Sequence, residues 1–172
     1  VEEYLLKPVN SAELTNVFSH LKQKLDQEIS EKRNVEVLQN YYLESLPLLQ
    51  VNFYSTLIEG RIQQEELPKY LKDYQITMEG PFYCCLVIHT SSSRIPDGVN
   101  PLLLFTAVQK QAEERLAEVW RGKCFSYLNN TVLIAQLSTE QEVSRLTDEC
   151  DRFCRYVKRM MGAVVTVGVG FV

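Results

Sequence analysis

Apolar residues at helical spacing open the readable pattern of the chain. Leu14, Val17, Phe18, Leu21 and Leu25 recur three or four positions apart, which places them on one face of a helix. Asn10-x-x-Glu13 just before them is a variant of the capping box, a helix-start signal. Beyond Leu25 the stripe thins, and from Asp26 to Asn34 only Ile29 is apolar. Neither Gly nor Pro interrupts the chain from Val9 to Ser45. A continuous helix of about 35 residues is therefore predicted, with Pro47 ending or kinking it. A heptad register runs through Phe18, Leu21, Leu25, Val35, Tyr42 and Leu46, but Glu28, Lys32 and Gln39 fall on its seam. Two readings stand side by side: a helix that pairs conditionally or shifts register, and a solvated connecting helix.

A second helix is predicted over Leu49 to Ile62, with Phe53, Leu57, Ile58 and Ile62 on its apolar face and Gly60 inside it. A third fits Gln64 to Tyr74. After the turn Glu79-Gly80-Pro81 the pattern changes. Phe82 to Thr90 is apolar over strand length and reads as a largely buried strand. Leu102 to Trp120 is a helix, with Leu104, Val108, Ala112 and Leu116 on its inner stripe. Lys123 to Leu128 and Thr131 to Leu137 are strands joined through Asn129-Asn130, where asparagine tolerates the positive φ of a two-residue hairpin. Thr139 to Met161 is strongly amphipathic through Val143, Leu146, Cys150, Phe153, Val157 and Met160, and Gly162 follows as its cap. Val164 to Val172 is a last strand containing Gly168 and Gly170. The β-α-β-β-α-β order predicts an α+β fold: a helical linker, then a ferredoxin-like domain with an antiparallel sheet, its first and third strands central.

Composition narrows the class without changing this outline. The chain has 172 residues, 45% hydrophobic and 23% charged, which suits one sizeable core plus a smaller element. A net charge of −4 offers no basic footprint for nucleic acid. No apolar run reaches the ~20 residues of a membrane helix, and no signal peptide is read at the start. Five cysteines, Cys84, Cys85, Cys124, Cys150 and Cys154, include an adjacent pair and no Cys-x-x-Cys. They read as small buried hydrophobes of a reducing cytoplasm, not as a disulfide framework or a zinc site. The apolar strands at both ends make the chain read as cut from something longer.

Three resemblances are carried by particular residues. Tyr4-Leu5-Leu6-Lys7-Pro8 resembles the last strand and following loop of a response-regulator receiver domain. That resemblance implies that Lys7 is the phosphoaspartate-sensing lysine and that the bond before Pro8 is cis. The order of elements over residues 82–172, closing in Val164-Val165-Thr166-Val167-Gly168-Val169-Gly170, resembles the nucleotide-cyclase-like GGDEF domain. The stretch Phe53 to Ile62, followed by an acidic helix and a Gly-Pro turn, resembles the region before the degenerate GGDEF-like domain of some transcription regulators. In this order the parts resemble the central region of a YesN-type response regulator of the AraC family. The resemblance implies four segments: a receiver remnant at 1–11, a linker helix at 12–46, a helical connector at 47–80 and a degenerate, truncated GGDEF-like domain at 81–172.

The chemistry of catalysis is missing from the places where that family keeps it. A cyclase needs carboxylates to hold metal ions at the phosphates. Here the first strand ends Ile88-His89-Thr90-Ser91 and the hairpin reads Tyr127-Leu128-Asn129-Asn130-Thr131, with no carboxylate in either. Ser19-His20-Leu21 faintly resembles the phospho-accepting helix of histidine kinases, but the Glu-Leu-Arg-Thr-Pro continuation is absent. No nucleophile elbow and no Gly-rich phosphate loop occurs. The expectation is a non-enzyme without cofactor or metal: a cytoplasmic transmission and dimerisation region with Leu14, Val17, Phe18, Leu21 and Leu25 as relay residues. Its expected partners are a second copy, a sensor histidine kinase acting through the upstream receiver, and DNA only through a C-terminal domain outside this chain; no membrane contact is expected. The alternative is a ligand-sensing module that holds a nucleotide or small metabolite near His89, Ser91, Asn129 and Asn130.

Overall fold

The computed structural model describes residues 10–92, 95 and 97–171. The chain divides into two compact units, one ending at Pro47 and one beginning at Leu48.

In the first unit the described residues form the N-terminal part of helix α1 (Ser11–Ile58). Asn10 caps it, its Oδ1 accepting from the Glu13 N–H at 2.8 Å. Within residues 11–47 only Val17, Tyr42 and Leu46 are half-buried, and the remainder is exposed. Of the expected end or kink at Pro47, the end is not seen, and Leu49 to Ile62 is no separate helix: α1 runs through the proline to Ile58. Proline removes one backbone bond and crowds the carbonyl four residues back, at a cost of about 3 kcal/mol, but its φ is compatible with a helix. The turns after it are held by burial of Phe53 and Tyr54. Gly60 is not inside the helix but ends it, at φ +69°. The Arg61 N–H reaches Thr56 O at 3.2 Å and the Gly60 N–H reaches Leu57 O at 3.0 Å, a Schellman stop.

The second unit is built on a four-stranded antiparallel sheet. Its strands are β1 (Phe82–Thr90), β2 (Lys123–Tyr127), β3 (Asn130–Leu137) and β4 (Val165–Phe171). The order across the sheet is β2-β3-β1-β4. Between the strands lie α2 (Leu67–Asp73) before β1, α3 (Pro101–Ala112) after it, and α4 (Glu142–Met161) after β3. The helix expected over Leu102–Trp120 does not stay α-helical: a π-helical turn, Glu113–Ala117, follows α3. The third helix is also shorter than expected, because Pro68 sets its first turn and Gln75, at φ +51°, ends it.

Both faces of the sheet are covered. Cys84, Leu86 and Ile88 of β1, with Leu133, Ala135 and Leu137 of β3, pack against Leu104, Val108, Leu116, Leu146, Phe153 and Val157 from the α3 and α4 side. On the opposite face Phe125, Val132 and Ile134 pack against Phe53, Tyr54 and Ile76. Tyr54 stacks on Phe125 at 5.6 Å between ring centroids, and the Gln50 side chain donates to Tyr74 O at 2.9 Å. Strand β3 is buried on both sides from Thr131 to Ala135, which explains its unbroken apolar run. Each large side chain buried this way contributes roughly 1.5–3 kcal/mol.

Candidate functional site

The rim where β1 ends beside the β2–β3 hairpin is where the sequence placed a possible pocket. The hairpin turn is one residue earlier than expected. Tyr127 pairs with Asn130, so the two turn residues are Leu128 and Asn129, at φ +45° and +59°. Positive φ at both centres is the type I′ geometry that follows the twist of the strands. Asn130 therefore starts β3, and its Oδ1 lies 2.8 Å from His89 Nδ1. An amide oxygen only accepts, so His89 carries its proton on Nδ1. The Asn130 amide group donates in turn to Leu128 O at 3.0 Å. Ser91 is half-buried next to them, its N–H bonded to Val164 O at 2.9 Å, and Asn129 stands exposed at the tip. The structure thus joins His89 to Asn130, with Ser91 following at the end of the same strand and Asn129 in the turn.

Neither the end of β1 nor the hairpin tip carries a carboxylate. Among the described residues, no group of three or more His, Cys, Asp or Glu side chains is placed to hold a metal ion. The thiols are pushed up by burial, Cys124 and Cys150 to about 12, so they stay protonated and weakly nucleophilic. The Tyr127 hydroxyl is tied to the end of α1, donating to Glu59 Oε1 at 2.6 Å, while Arg61 Nε pairs with Glu59 Oε2 at 3.0 Å. This small network fixes the hairpin to the segment that covers the second face of the sheet.

The relay candidates lie in the first unit. Phe18 is 66% and Leu25 57% exposed; Leu14 and Leu21 are exposed as well, and Val17 is half-buried. Four large apolar side chains in water on one stripe are unusual for a helix whose only role is to connect. Lys7 and Pro8, with the expected cis bond between Lys7 and Pro8, lie outside the described residues. No described helix is long and apolar enough to cross a membrane.

Sequence reading passed over one feature. An open cleft of about 230 Å³ lies between the end of the π-helical turn, the end of β3 and the start of α4. Trp120, Arg121, Gln136, Ser138, Glu142 and Arg145 line it. These residues are spread over 26 positions, from 120 to 145, and share no motif, so only the fold collects them. The one signal available beforehand was that Trp120 is the single tryptophan of the chain. Comparison with family models, with curated proteins and with solved structures finds no match.

Proposed function

We propose that this chain is a non-enzymatic, cytoplasmic signal-transmission and dimerisation region of a two-component response regulator that controls transcription. The observation that carries the reading is the exposed stripe of Leu14, Phe18, Leu21 and Leu25 on a long helix. Such a stripe gains from association with a second copy. The polar seam positions Glu28, Lys32 and Gln39 keep that association weak enough to be shifted. In this reading the sheet unit is a degenerate GGDEF-like domain with ferredoxin-like connectivity. The strand order β2-β3-β1-β4 and the carboxylate-free hairpin support it.

Phosphorylation of an upstream receiver by a sensor histidine kinase would alter the pairing of α1. DNA-binding domains beyond this chain would then be brought together or released. A coupling of about 1–3 kcal/mol between the two events is enough for a usable switch. The reading is tested by sedimentation of the chain and of Leu21→Gln/Leu25→Gln. The wild-type chain is expected to dimerise and the double variant to dissociate at least tenfold more readily, about 1.4 kcal/mol. Equal association of the two proteins, or a monomeric wild type at all concentrations, would remove the helix from the mechanism.

A further inference from the structure

We propose that the Trp120 cleft is a binding site for a small oxyanion, a phosphate or carboxylate group on a metabolite. Among the described residues, the one buried side-chain nitrogen or oxygen without a hydrogen-bond partner is Trp120 Nε1. An indole N–H can only donate, and a buried donor without an acceptor is a rarity in folded proteins. Trp120 is 95% buried, being 5% exposed, and forms a wall of the cleft. Its nitrogen has under 1 Å² of accessible surface, so a ligand's acceptor satisfies it only with a small shift of the cleft wall.

The charges around it have the sign such a ligand needs. Arg121 and Arg145 both line the cleft, both are exposed, and neither is ion-paired among the described residues. The Arg145 guanidinium sits 5.3 Å from the Trp120 ring centroid, so the aromatic face preorients the fork. A guanidinium fork matches the two oxygens of a carboxylate or phosphate. Glu142 is the one carboxylate in the lining, and its Oε2 is already occupied by the Ser138 N–H at 2.7 Å. Two guanidiniums therefore face one engaged carboxylate. The cleft also opens at the first turn of the 20-residue helix α4, whose N-terminal end favours negative charge. A volume of about 230 Å³ suits a phosphate-sized or small carboxylate ligand and not an extended polymer. The site lies wholly in the second unit and stands independently of α1 pairing.

Because Trp120 is the only tryptophan, its emission reports on this cleft alone. The full chain is titrated at fixed ionic strength with inorganic phosphate and separately with acetate, with chloride as the control. Calorimetry is run on the same samples. A saturable emission change and matching heat are expected with at least one oxyanion, and the arm that responds identifies phosphate or carboxylate as the recognised group. Arg145→Gln and Arg121→Gln are each expected to weaken binding tenfold or more. Arg155→Gln, which removes the same charge from α4 outside the cleft, is expected to leave it unchanged. Trp120→Phe keeps the ring, removes the donor, and is expected to lose most of the heat while still melting cooperatively. No saturable response to either oxyanion, or equal weakening by Arg155→Gln and Arg145→Gln, overturns the proposal.

Discussion

Left-handed residues end four of the helical segments; Gly162 closes α4 with a single bond to Lys158 O, and of the other three only one is glycine. Gly60 stops α1, Gln75 stops α2, and Arg121 stops the helix that carries Trp120. Each of these stops has the same pair of backbone bonds or its longer member, as in Ile76 N–H to Leu71 O at 2.9 Å and Gly122 N–H to Ala117 O at 2.8 Å. Left-handed backbone costs an ordinary residue about 1–2 kcal/mol. Gln75 is exposed and makes no side-chain hydrogen bond among the described residues, so Gln75→Gly is expected to stabilise the chain by about 1 kcal/mol, read as a higher urea midpoint. An unchanged midpoint would mean that the Gln75 side chain compensates its own strain. Gly122 answers to a different constraint. A Cβ there would lie 2.8 Å from Ile134 O and 2.6 Å from a Leu133 methyl, so the chain can pass β3 only without a side chain. Sequence reading caught Gly162 as a cap but not Gln75 or Arg121, because a stop made by a non-glycine residue leaves no composition signal.

At the scale of elements, the most instructive departure is the π-helical turn. The buried residues Leu104, Val108, Ala112, Leu116 and Trp120 are spaced by four throughout. An α-helix turns 3.6 residues at a time, so a strict four-residue stripe drifts by ~40° at each step and leaves the core. One wider turn, with the Glu118 N–H bonded to Glu113 O at 3.1 Å, restores the phase and brings Leu116 and Trp120 back inward. The signal is present in the spacing, but over any two turns a recurrence by four is also what an ordinary α-helix shows. Deleting Glu114 converts the stripe to the three-and-four spacing of an α-helix. That deletion is expected to cost at least about 2 kcal/mol less than deletion of Arg155, which would rotate Val157 off the core of α4. Denaturant melts of the two deletions decide this, and equal losses would mean the π turn is not a phase correction. Pro47 teaches the converse. The local rule against proline in a helix interior holds on average, and here burial of Phe53 and Tyr54 on the far side outweighs it.

Over the whole molecule, protonated thiols and a phenol are distributed through both cores of the sheet unit. Cys124 and Cys150 are pushed from 9.0 to about 12 by burial, and Tyr54 from 10.0 to about 12 by burial and then by neighbouring Tyr83. The folded chain keeps these protons where the unfolded chain has lost them. Stability is therefore full below about pH 9 and falls as pH rises from 9 towards 12. Urea midpoints should be lower at pH 11 than at pH 9, and a flat series across that interval would contradict the burial of these groups. The sequence by itself determined the strands, the amphipathic α4 with its Gly162 cap, the Asn10 start of α1 and the absence of carboxylates at the hairpin. These follow from side-chain period and from residue types that act within a few positions. Tertiary structure alone decided that α1 passes Pro47, that the segment around Phe53 and Tyr54 covers the second face of the sheet, that the turn is Leu128-Asn129, and that Trp120 meets Arg121 and Arg145 in one cleft. Each of these depends on free energy gained between residues far apart in the chain. A hydrophobic contact has no sequence direction, so a local pattern shows that a side chain will be buried but not against what.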